Sequence, residues 1–337
     1  MYRSIEQIEN LKKKGLEFST LIAIPSYKRH NAKFFRSPII TDLQKHGVNL
    51  KETIFLFTRN DPEEINGYKH FEDAGYCTIV PLDGVTELGG TRKKIIEYFN
   101  AKNVNRLIML DDVIDGMMIS EPQKTSSGSI CMKDTKRYDS YEMLCLWEWL
   151  HNEYHDETDP EGVKGCTLSA VPLISVAFSD TFINRTYCIN NGVSFSSAVM
   201  LSLDDLREHN INYEPVPEAG TEDIRICYEV MKAGLIYRTF SDIPIRYHRE
   251  GVVGGNVTLD GVTPSIEDKG KRYKKYQRWF IEKTLKKGFY DDLSDVGFVR
   301  IYGAENEPKK KNIIRFNWKY WQRYYKNFHH INEYEDW

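Results

Sequence analysis

The stretch RLIMLDDV, residues 106–113, is an apolar run that ends in adjacent carboxylates. Consecutive apolar residues bounded by polar ones predict a buried strand, and Asp111 and Asp112 follow at its carboxyl end. Adjacent carboxylates in such a position are stable when a cation or ribose hydroxyls balance them, and a hard divalent ion that bridges a diphosphate suits this need. The pair is equally consistent with a solvated strand end whose acids cap the next helix.

Upstream of this strand, short apolar runs alternate with helical patterns, which favours an α/β fold with a mainly parallel sheet. The predicted strands are LIAIPSY at 21–27, TIFLFTRND at 53–61 and YCTIVPL at 76–82. The predicted helices are RSPIITDLQKHG and TRKKIIEYFNAKN, the second of which follows a loop that ends in LGGTR. Ligands of such sheets bind beyond the carboxyl ends of the strands, where Lys28, Arg29 and Arg92 fall together with the two aspartates.

Downstream of the aspartates, the composition of residues 121–137 predicts a loop, and YDSYEMLCLWEWLHNEY predicts an amphipathic helix. GCTLSAVPLISVAF and INNGVSFSSAVMLS predict further strands of the sheet, and IYRTFSDIPIRYH predicts a strand pair. We expect a nucleotide-binding α/β domain over residues 1–260, with a mixed sheet flanked by helices, and a basic, aromatic, helical segment over residues 261–337.

Acidic residues also begin a predicted helix, TEDIRICYEVMKAG. Glu222 and Asp223 lie where the helix dipole stabilises the carboxylate form, so either residue is a candidate general base. Thr221 followed by two acids is also good capping chemistry, and for this pattern taken alone a simple N-cap is the favoured explanation.

Two basic or imidazole side chains extend this set of candidates. Arg92 follows Gly89 and Gly90, and its planar fork matches the oxygens of a pyrophosphate; a solvated helix charge is the alternative. His248 ends a predicted strand before the glycine-rich loop GVVGGN, where a neutral imidazole would complete a metal shell. A structural histidine is the alternative there.

Basic and aromatic residues crowd the last quarter of the chain, in KGKRYKKYQRWFIEKTLKK at 269–287 and KKKNIIRFNWKYWQRYYKNFHH at 309–330. Basic side chains neutralise phosphates and aromatic rings stack on exposed bases, so both ingredients of nucleic-acid binding are present. The candidate acceptor contacts in the first stretch are Lys274, Lys275, Arg278 and Trp279. The same pattern fits an amphipathic helix that packs its rings on the domain while its charges face water.

The chain has 337 residues, a net charge of -3 and 41% hydrophobic residues, which is ample for a core. Its apolar runs are far shorter than the ~20 residues that cross a bilayer, and its N-terminus lacks the apolar stretch of a secretory signal. The six cysteines are scattered without a CxxC pair, so no zinc knot or disulfide framework is indicated. We expect a cytoplasmic protein with no membrane contact and no obligate protein partner.

Taken in order, IAIPSYKR, LGGTR, LIMLDDV, GTEDIRICYEVMKAG and IRYH resemble the motif series of GT-A-type glycosyltransferases over residues 20–256. The pattern around IPSYKR and DDV looks most like the TET-associated DNA base glycosyltransferases of phages, relatives of the base J glucosyltransferase. The resemblance implies a GT-A, Rossmann-like fold, a nucleotide-sugar donor that is UDP-linked, and Mn²⁺ or Mg²⁺ as the metal.

The resemblance also implies a role for each candidate residue. The donor nucleotide would contact Pro25, Ser26, Tyr27, Arg29, Arg92 and Asp111. The metal would be held by Asp112 and His248, and the catalytic base would be Asp223 or Glu222.

One position departs from the family pattern, because Val113 stands where the last, metal-binding acid is expected. Either Asp112 alone contacts the ion, or Asp115 takes part after a turn, or the metal is held weakly.

The leading hypothesis is an inverting enzyme that moves a sugar to the hydroxyl of a modified base such as 5-hydroxymethylcytosine in phage DNA, with Asp223 as base. The reaction would then take place in the host cytoplasm. A second hypothesis keeps the fold and donor and makes the acceptor a glycan or a protein. A third is a non-catalytic nucleic-acid-binding protein that has lost its metal site.

Overall fold

The structure of the chain is a computed structural model. It describes residues 3–15, 17–124, 130–156, 167–171, 173–175, 188–189, 198–213, 222, 226–227, 229–230, 233, 235, 237–240, 243–247, 299–302 and 313–316.

Helices and strands alternate through the first part of the chain, as the sequence predicts. The described helices are α1 (Arg3–Lys13), α2 (Pro38–Lys45), α3 (Leu50–Thr53), α4 (Pro62–Asp73), α5 (Leu88–Asn100), α6 (Ser140–Asp156) and α7 (Leu203–Glu208), with a 3₁₀ turn at Phe34–Arg36. The strands up to α6 are β1 (Leu21–Pro25), β2 (Ile54–Arg59), β3 (Thr78–Leu82), β4 (Arg106–Leu110), β5 (Ile114–Lys124) and β6 (Ile130–Arg137). The later strands are β7 (Leu168–Ala170), β8 (Leu173–Ser175), β9 (Cys188–Ile189), β10 (Ala198–Ser202), β11 (Tyr237–Thr239), β12 (Ile245–Tyr247), β13 (Val299–Tyr302) and β14 (Ile313–Phe316).

In the described part of the chain, the main sheet has eight strands in the order β3-β2-β1-β4-β10-β7-β11-β9. The strands β3, β2, β1 and β4 are mutually parallel, and Ile22 of β1 pairs with Ile54 on one side and with Ile108 on the other. β10 then runs antiparallel to both β4 and β7. The predicted mixed sheet, flanked by helices and parallel in its first half, is confirmed.

Alternate residues of the central strands pack on opposite faces of the main sheet. Ile22, Ile24 and Ile108 belong to the core beneath α1, α2 and α6. Ala23 and Met109 belong to the core on the other face, together with residues of α5 and α7. Because both faces are covered, these strands are continuous apolar runs rather than alternating ones.

A second sheet, in the order β6-β5-β12-β8, contradicts the loop predicted at 121–137. β5 and β6 form an antiparallel pair over much of that range. Polar residues occupy much of this hairpin, so its composition resembled that of a loop, and only the pairing of the two strands reveals the strand conformation. β11 and β12, predicted as a pair, lie in different sheets.

Two further predictions need correction. The LGG of LGGTR, predicted as loop, forms the first turn of α5, because the Glu87 side chain accepts hydrogen bonds from the N–H groups of Gly89 and Gly90. In the segment 261–337, the described residues form the antiparallel pair β13 and β14, so the helix expected at 309–330 is wrong at Ile313–Phe316. β-branched Ile313 and Ile314 suit a strand.

α4 was not predicted, although the sequence carries its start signal. Asp61 caps the helix by accepting from the N–H of Glu63, and Pro62 occupies the first turn. The same arrangement of a capping side chain followed by proline begins α2 at Ser37 and Pro38. Within the described part of the chain, no helix combines the length and apolarity needed to cross a membrane.

Candidate functional site

The candidate site lies where β1 and β4 end side by side. The chain passes from β1 outward to β2 and β3 on one side and then returns to β4 on the other side of β1. This change of direction makes the β1/β4 edge the topological switch point, where open α/β sheets bind ligands. Residues 26–31 follow β1, and Asp111 and Asp112 follow β4, so the sheet brings together two of the sequence motifs.

Asp112 is buried, with 1% of its surface exposed, and is held by the loop that follows β1. One carboxylate oxygen accepts from the Ser26 hydroxyl and the other from the Arg29 guanidinium. Burial raises the pKa of Asp112 above the ordinary value of an aspartate, and the charge of Arg29 and the hydrogen bond from Ser26 oppose that rise. In this arrangement Asp112 organises the loop rather than facing the accessible edge, although it was predicted to hold the metal.

Tyr68 of α4 extends this hydrogen-bond chain. Its Oη accepts from the backbone N–H of Arg29 at 3.0 Å and lies 2.8 Å from the Ser26 hydroxyl. Because Ser26 donates to Asp112, Tyr68 is the donor to Ser26. Burial raises the pKa of Tyr68 well above its usual value, so this hydroxyl keeps the proton that it donates.

A second residue of α4, Glu64, fixes the tip of the same loop. The Glu64 carboxylate accepts from the backbone N–H of Lys28 at 2.9 Å and lies 3.4 Å from His30 Nε2. Lys28 has a φ of 55°, a conformation that few non-glycine residues adopt. The His30 ring packs directly on Gly67, where a Cβ would collide with it. The conformation of residues 26–30 is therefore held by α4 together with Asp112.

Asp111 is the more accessible of the two aspartates, with 19% of its side chain exposed. Its Oδ1 lies 3.4 Å from Nη2 of Arg92, which projects from the first turns of α5. Arg92 Nη1 donates to Glu222 Oε1 at 3.0 Å. The structure thus joins three predicted residues, Asp111, Arg92 and Glu222, but Arg92 is buried between carboxylates rather than displayed on the surface.

Tyr27, just after β1, and Arg59, the last residue of β2, form a stacked pair. The Arg59 guanidinium lies 3.6 Å from the centroid of the Tyr27 ring, and its Nη2 donates to the carbonyl of Thr86 at 2.8 Å. Both side chains are partly exposed. A cation held on an aromatic ring at this edge is suited to contact a nucleotide.

Several predicted residues fall elsewhere. Pro25 ends β1 and is buried against β2, where it pairs with Phe57. Asp115, the alternative metal ligand, lies in β5 and forms an ion pair with Arg246 at 2.8 Å. The remaining predicted residues lie outside the described part of the chain: Asp223, His248, Lys274, Lys275, Arg278 and Trp279.

A second group of metal-ligand type lies away from this edge. One ligand atom each from His46, Asp139 and Glu142 falls within 4.8 Å of the others. Lysine side chains already neutralise the two acids, with Lys12 at 2.8 Å from Glu142 and Lys45 at 3.8 Å from Asp139. This group is accounted for by its ion pairs.

Sequence reasoning missed Glu64, Tyr68 and Arg59. The first two lie on α4, which the capping signal of Asp61 and Pro62 would have revealed. Arg59 lies within the predicted strand TIFLFTRND, at the carboxyl end that was assigned to ligand binding for the neighbouring strands. No local signal shows that it stacks on Tyr27, because that contact joins residues from two strand ends.

No model of a known protein family matches the chain, and no curated protein sequence matches it. Among solved structures, it resembles S. aureus TarS in complex with UDP-GlcNAc, with 9% identity and a TM-score of 0.43 over 82% of this chain and 76% of the other. It also resembles GalNAc-T7 with UDP, GalNAc and Mn²⁺, with 13% identity and a TM-score of 0.43 over 82% of this chain and 57% of the other. Likenesses at this level carry no argument about function.

Proposed function

We propose that the protein is a GT-A-type glycosyltransferase that uses a UDP-linked sugar with a divalent metal. The observation that carries the proposal is the accessible carboxylate of Asp111 at the switch point of the sheet. Such a carboxylate, together with diphosphate oxygens, is the ligand set that Mg²⁺ or Mn²⁺ takes in nucleotide sites. The stacked pair Tyr27–Arg59 lies at the same edge and is suited to hold the nucleoside.

The metal fits Asp111 better than Asp112. Both oxygens of Asp112 already accept hydrogen bonds from Ser26 and Arg29, whereas the Asp111 carboxylate makes, within the described part of the chain, a single long contact to Arg92. We therefore assign the cation to Asp111, and we assign to Asp112 the structural role of holding the loop after β1. When bound, the cation would neutralise the diphosphate that leaves the sugar. His248 remains a proposed second ligand.

Sugar transfer also needs a base for the acceptor hydroxyl. A carboxylate takes the hydroxyl proton as the oxygen attacks the anomeric carbon, and the bond from that carbon to the diphosphate breaks. If the attack comes from the face opposite the diphosphate, the configuration inverts. Asp223 is our proposed base, next along the chain from Glu222.

The donor site is tested by thermal unfolding with UDP and Mn²⁺. Ligand at 100 times its Kd stabilises the folded protein by about 2.7 kcal/mol, so the wild-type Tm rises. Asp111→Asn should lose this rise while its ligand-free Tm changes little, because the side chain is partly exposed. Glu97→Gln, an exposed acid on α5, is the matched control and should keep the rise. An unchanged Tm of the wild-type protein in the presence of UDP and Mn²⁺ would contradict the donor proposal.

For the acceptor, we propose a hydroxymethylated base in phage DNA, which places the reaction in the host cytoplasm. The support is the sequence of residues 269–287, whose basic and aromatic residues fit a DNA strand with a base turned out of the stack. The protein is incubated with duplexes containing 5-hydroxymethylcytosine and a panel of UDP-sugars, and the masses of the nucleosides are then measured by mass spectrometry. Duplexes with plain cytosine are the control.

A mass gain of one sugar on the modified nucleoside alone is the expected result. No gain with any donor, in a protein that binds UDP and Mn²⁺, would exclude this acceptor and favour a glycan or protein. Joint replacement of Lys274, Lys275 and Arg278 by alanine should make DNA binding less salt-dependent, since each phosphate contact contributes about 0.9 to the slope of log K against log salt.

A further inference from the structure

Arg92 holds an unusual position for a candidate phosphate ligand. It lies on α5 with 2% of its side chain exposed, and its guanidinium lies 5.6 Å from the centroid of the buried Tyr213 ring. Its two terminal nitrogens reach different partners, Nη1 to Glu222 and Nη2 to Asp111. The Arg92 guanidinium therefore connects Asp111, at the end of β4, with Glu222, where the acidic helix was predicted to begin.

The two contacts of Arg92 differ in length and in setting. The one to Glu222 is 3.0 Å between side chains that are both at least 95% buried, whereas the one to Asp111 is 3.4 Å and reaches a partly exposed carboxylate. Burying a guanidinium is costly unless a carboxylate compensates it. Glu222 is therefore the main counter-ion of Arg92, and Asp111 remains able to meet a cation.

This pairing bears on which acid serves as base. A buried carboxylate that takes up a proton loses its charge attraction to the guanidinium, which raises the cost of keeping that positive charge buried. Glu222 is accordingly a poor proton acceptor during turnover, although its position in the sequence made it a candidate.

We infer that Arg92 is a positioning residue that ties Asp111 to Glu222, and that Glu222 acts as its counter-ion and not as the catalytic base. The catalytic part of this inference rests on the proposed function, whereas the ion-pair part does not. Arg92 would fix the direction in which Asp111 meets the cation and diphosphate, and would hold the Glu222 side chain at a set distance from Asp111.

The ion-pair part is tested without any ligand, by a double-mutant cycle on urea unfolding. Arg92→Met and Glu222→Gln should each lower the unfolding midpoint, and the double variant should lose clearly less than the sum, because the second substitution then breaks no remaining ion pair between these two side chains. Lys94→Met and Glu97→Gln, an exposed pair on the same helix at 3.2 Å, form the matched cycle and should be additive. Additive losses at Arg92 and Glu222 would overturn the inference.

The catalytic part is tested by the pH dependence of UDP release from a UDP-sugar that the wild type uses. Glu222→Gln should raise the donor KM roughly 10- to 100-fold, as for other residues that orient a ligand-binding group, and should keep the acid limb of the kcat profile. Arg92→Lys, which retains the charge but loses the fork, should shift KM in the same direction by less.

Loss of the acid limb together with a collapse of kcat in Glu222→Gln would show that Glu222 is the base and overturn the inference. A wild-type protein that binds no UDP and releases none would instead refute the proposed function, and the urea cycle would still decide whether Arg92 and Glu222 are coupled. The two failures are therefore distinguishable.

Discussion

Two polar clusters lie on the main sheet, one at the carboxyl edge of β1 and β4 and one beneath α6. In the second cluster, His151 Nδ1 lies 2.8 Å from the Ser169 hydroxyl and Nε2 lies 2.9 Å from the Ser202 hydroxyl. Trp147 donates its indole N–H to the same Ser169. Both clusters contain buried titratable groups, but only the first reaches an accessible edge, through Asp111.

The comparison shows that a perturbed titratable group does not by itself mark a functional site. Burial lowers the pKa of His151 to about 3, yet this imidazole only hydrogen-bonds two serine hydroxyls inside the core. Burial also favours the neutral form of Asp112, in this case by raising its pKa, and this side chain holds a loop. What sets the first cluster apart is its place at the switch point, beside a partly exposed carboxylate.

The largest effect that would test this comparison is expected at Asp112. Asp112→Ala removes the acceptor of both Ser26 and Arg29, and breaking a buried pair in this way lowers the free energy of unfolding by about 3–5 kcal/mol. Asp112→Asn should cost less, because burial already favours the neutral form of this side chain. Urea denaturation of both variants measures the difference. If the alanine variant were as stable as the wild type, the structural role assigned to Asp112, in contrast to Asp111, would be wrong.

An intermediate effect is expected at His151, as a change of stability with pH. The folded protein holds this imidazole neutral down to pH about 3, whereas an unfolded histidine takes up a proton near pH 6.5. The unfolded chain therefore binds more protons below pH 6.5, and stability is fully present above that pH and falls by up to about 1.4 kcal/mol per unit below it.

Urea unfolding at pH 7 and pH 5 tests this sign. His151→Gln, which cannot be protonated, should be less stable than the wild type at pH 7 but should lose less on acidification. Equal losses in the two proteins would mean that His151 does not carry this pH dependence.

The smallest effect is expected at Arg59. Arg59→Met removes the cation that lies on Tyr27 at a partly exposed site, and a contact of this cation with the nucleoside would be worth about 0.5–1 kcal/mol of binding. Calorimetry of UDP with Mn²⁺ should show a Kd weakened by about two- to fivefold. Tyr27→Leu should weaken binding by a similar factor. An unchanged Kd in both variants would remove the stacked pair from the donor site.

Much of the first half of the fold could be predicted from local pattern. Continuous apolar runs predicted β1 to β4, and the helical spacing of Ile95, Ile96 and Phe99 predicted α5. The hairpin of β5 and β6 could not be predicted in this way, because its strands are rich in polar residues and are defined by their pairing with each other and, for β5, with β12. α4 was missed although its cap and proline were visible.

For the candidate site, the sequence determined which residues follow each strand, since parallel strands bring their carboxyl ends to one edge. That alone located Lys28 and Arg29 close to Asp111 and Asp112. Only the tertiary structure showed which partners each of these acids has. Asp112 is turned into the loop by Ser26 and Arg29, and Glu222, far away along the chain, meets Arg92. Such choices depend on burial and on partners from distant segments, which no local pattern encodes.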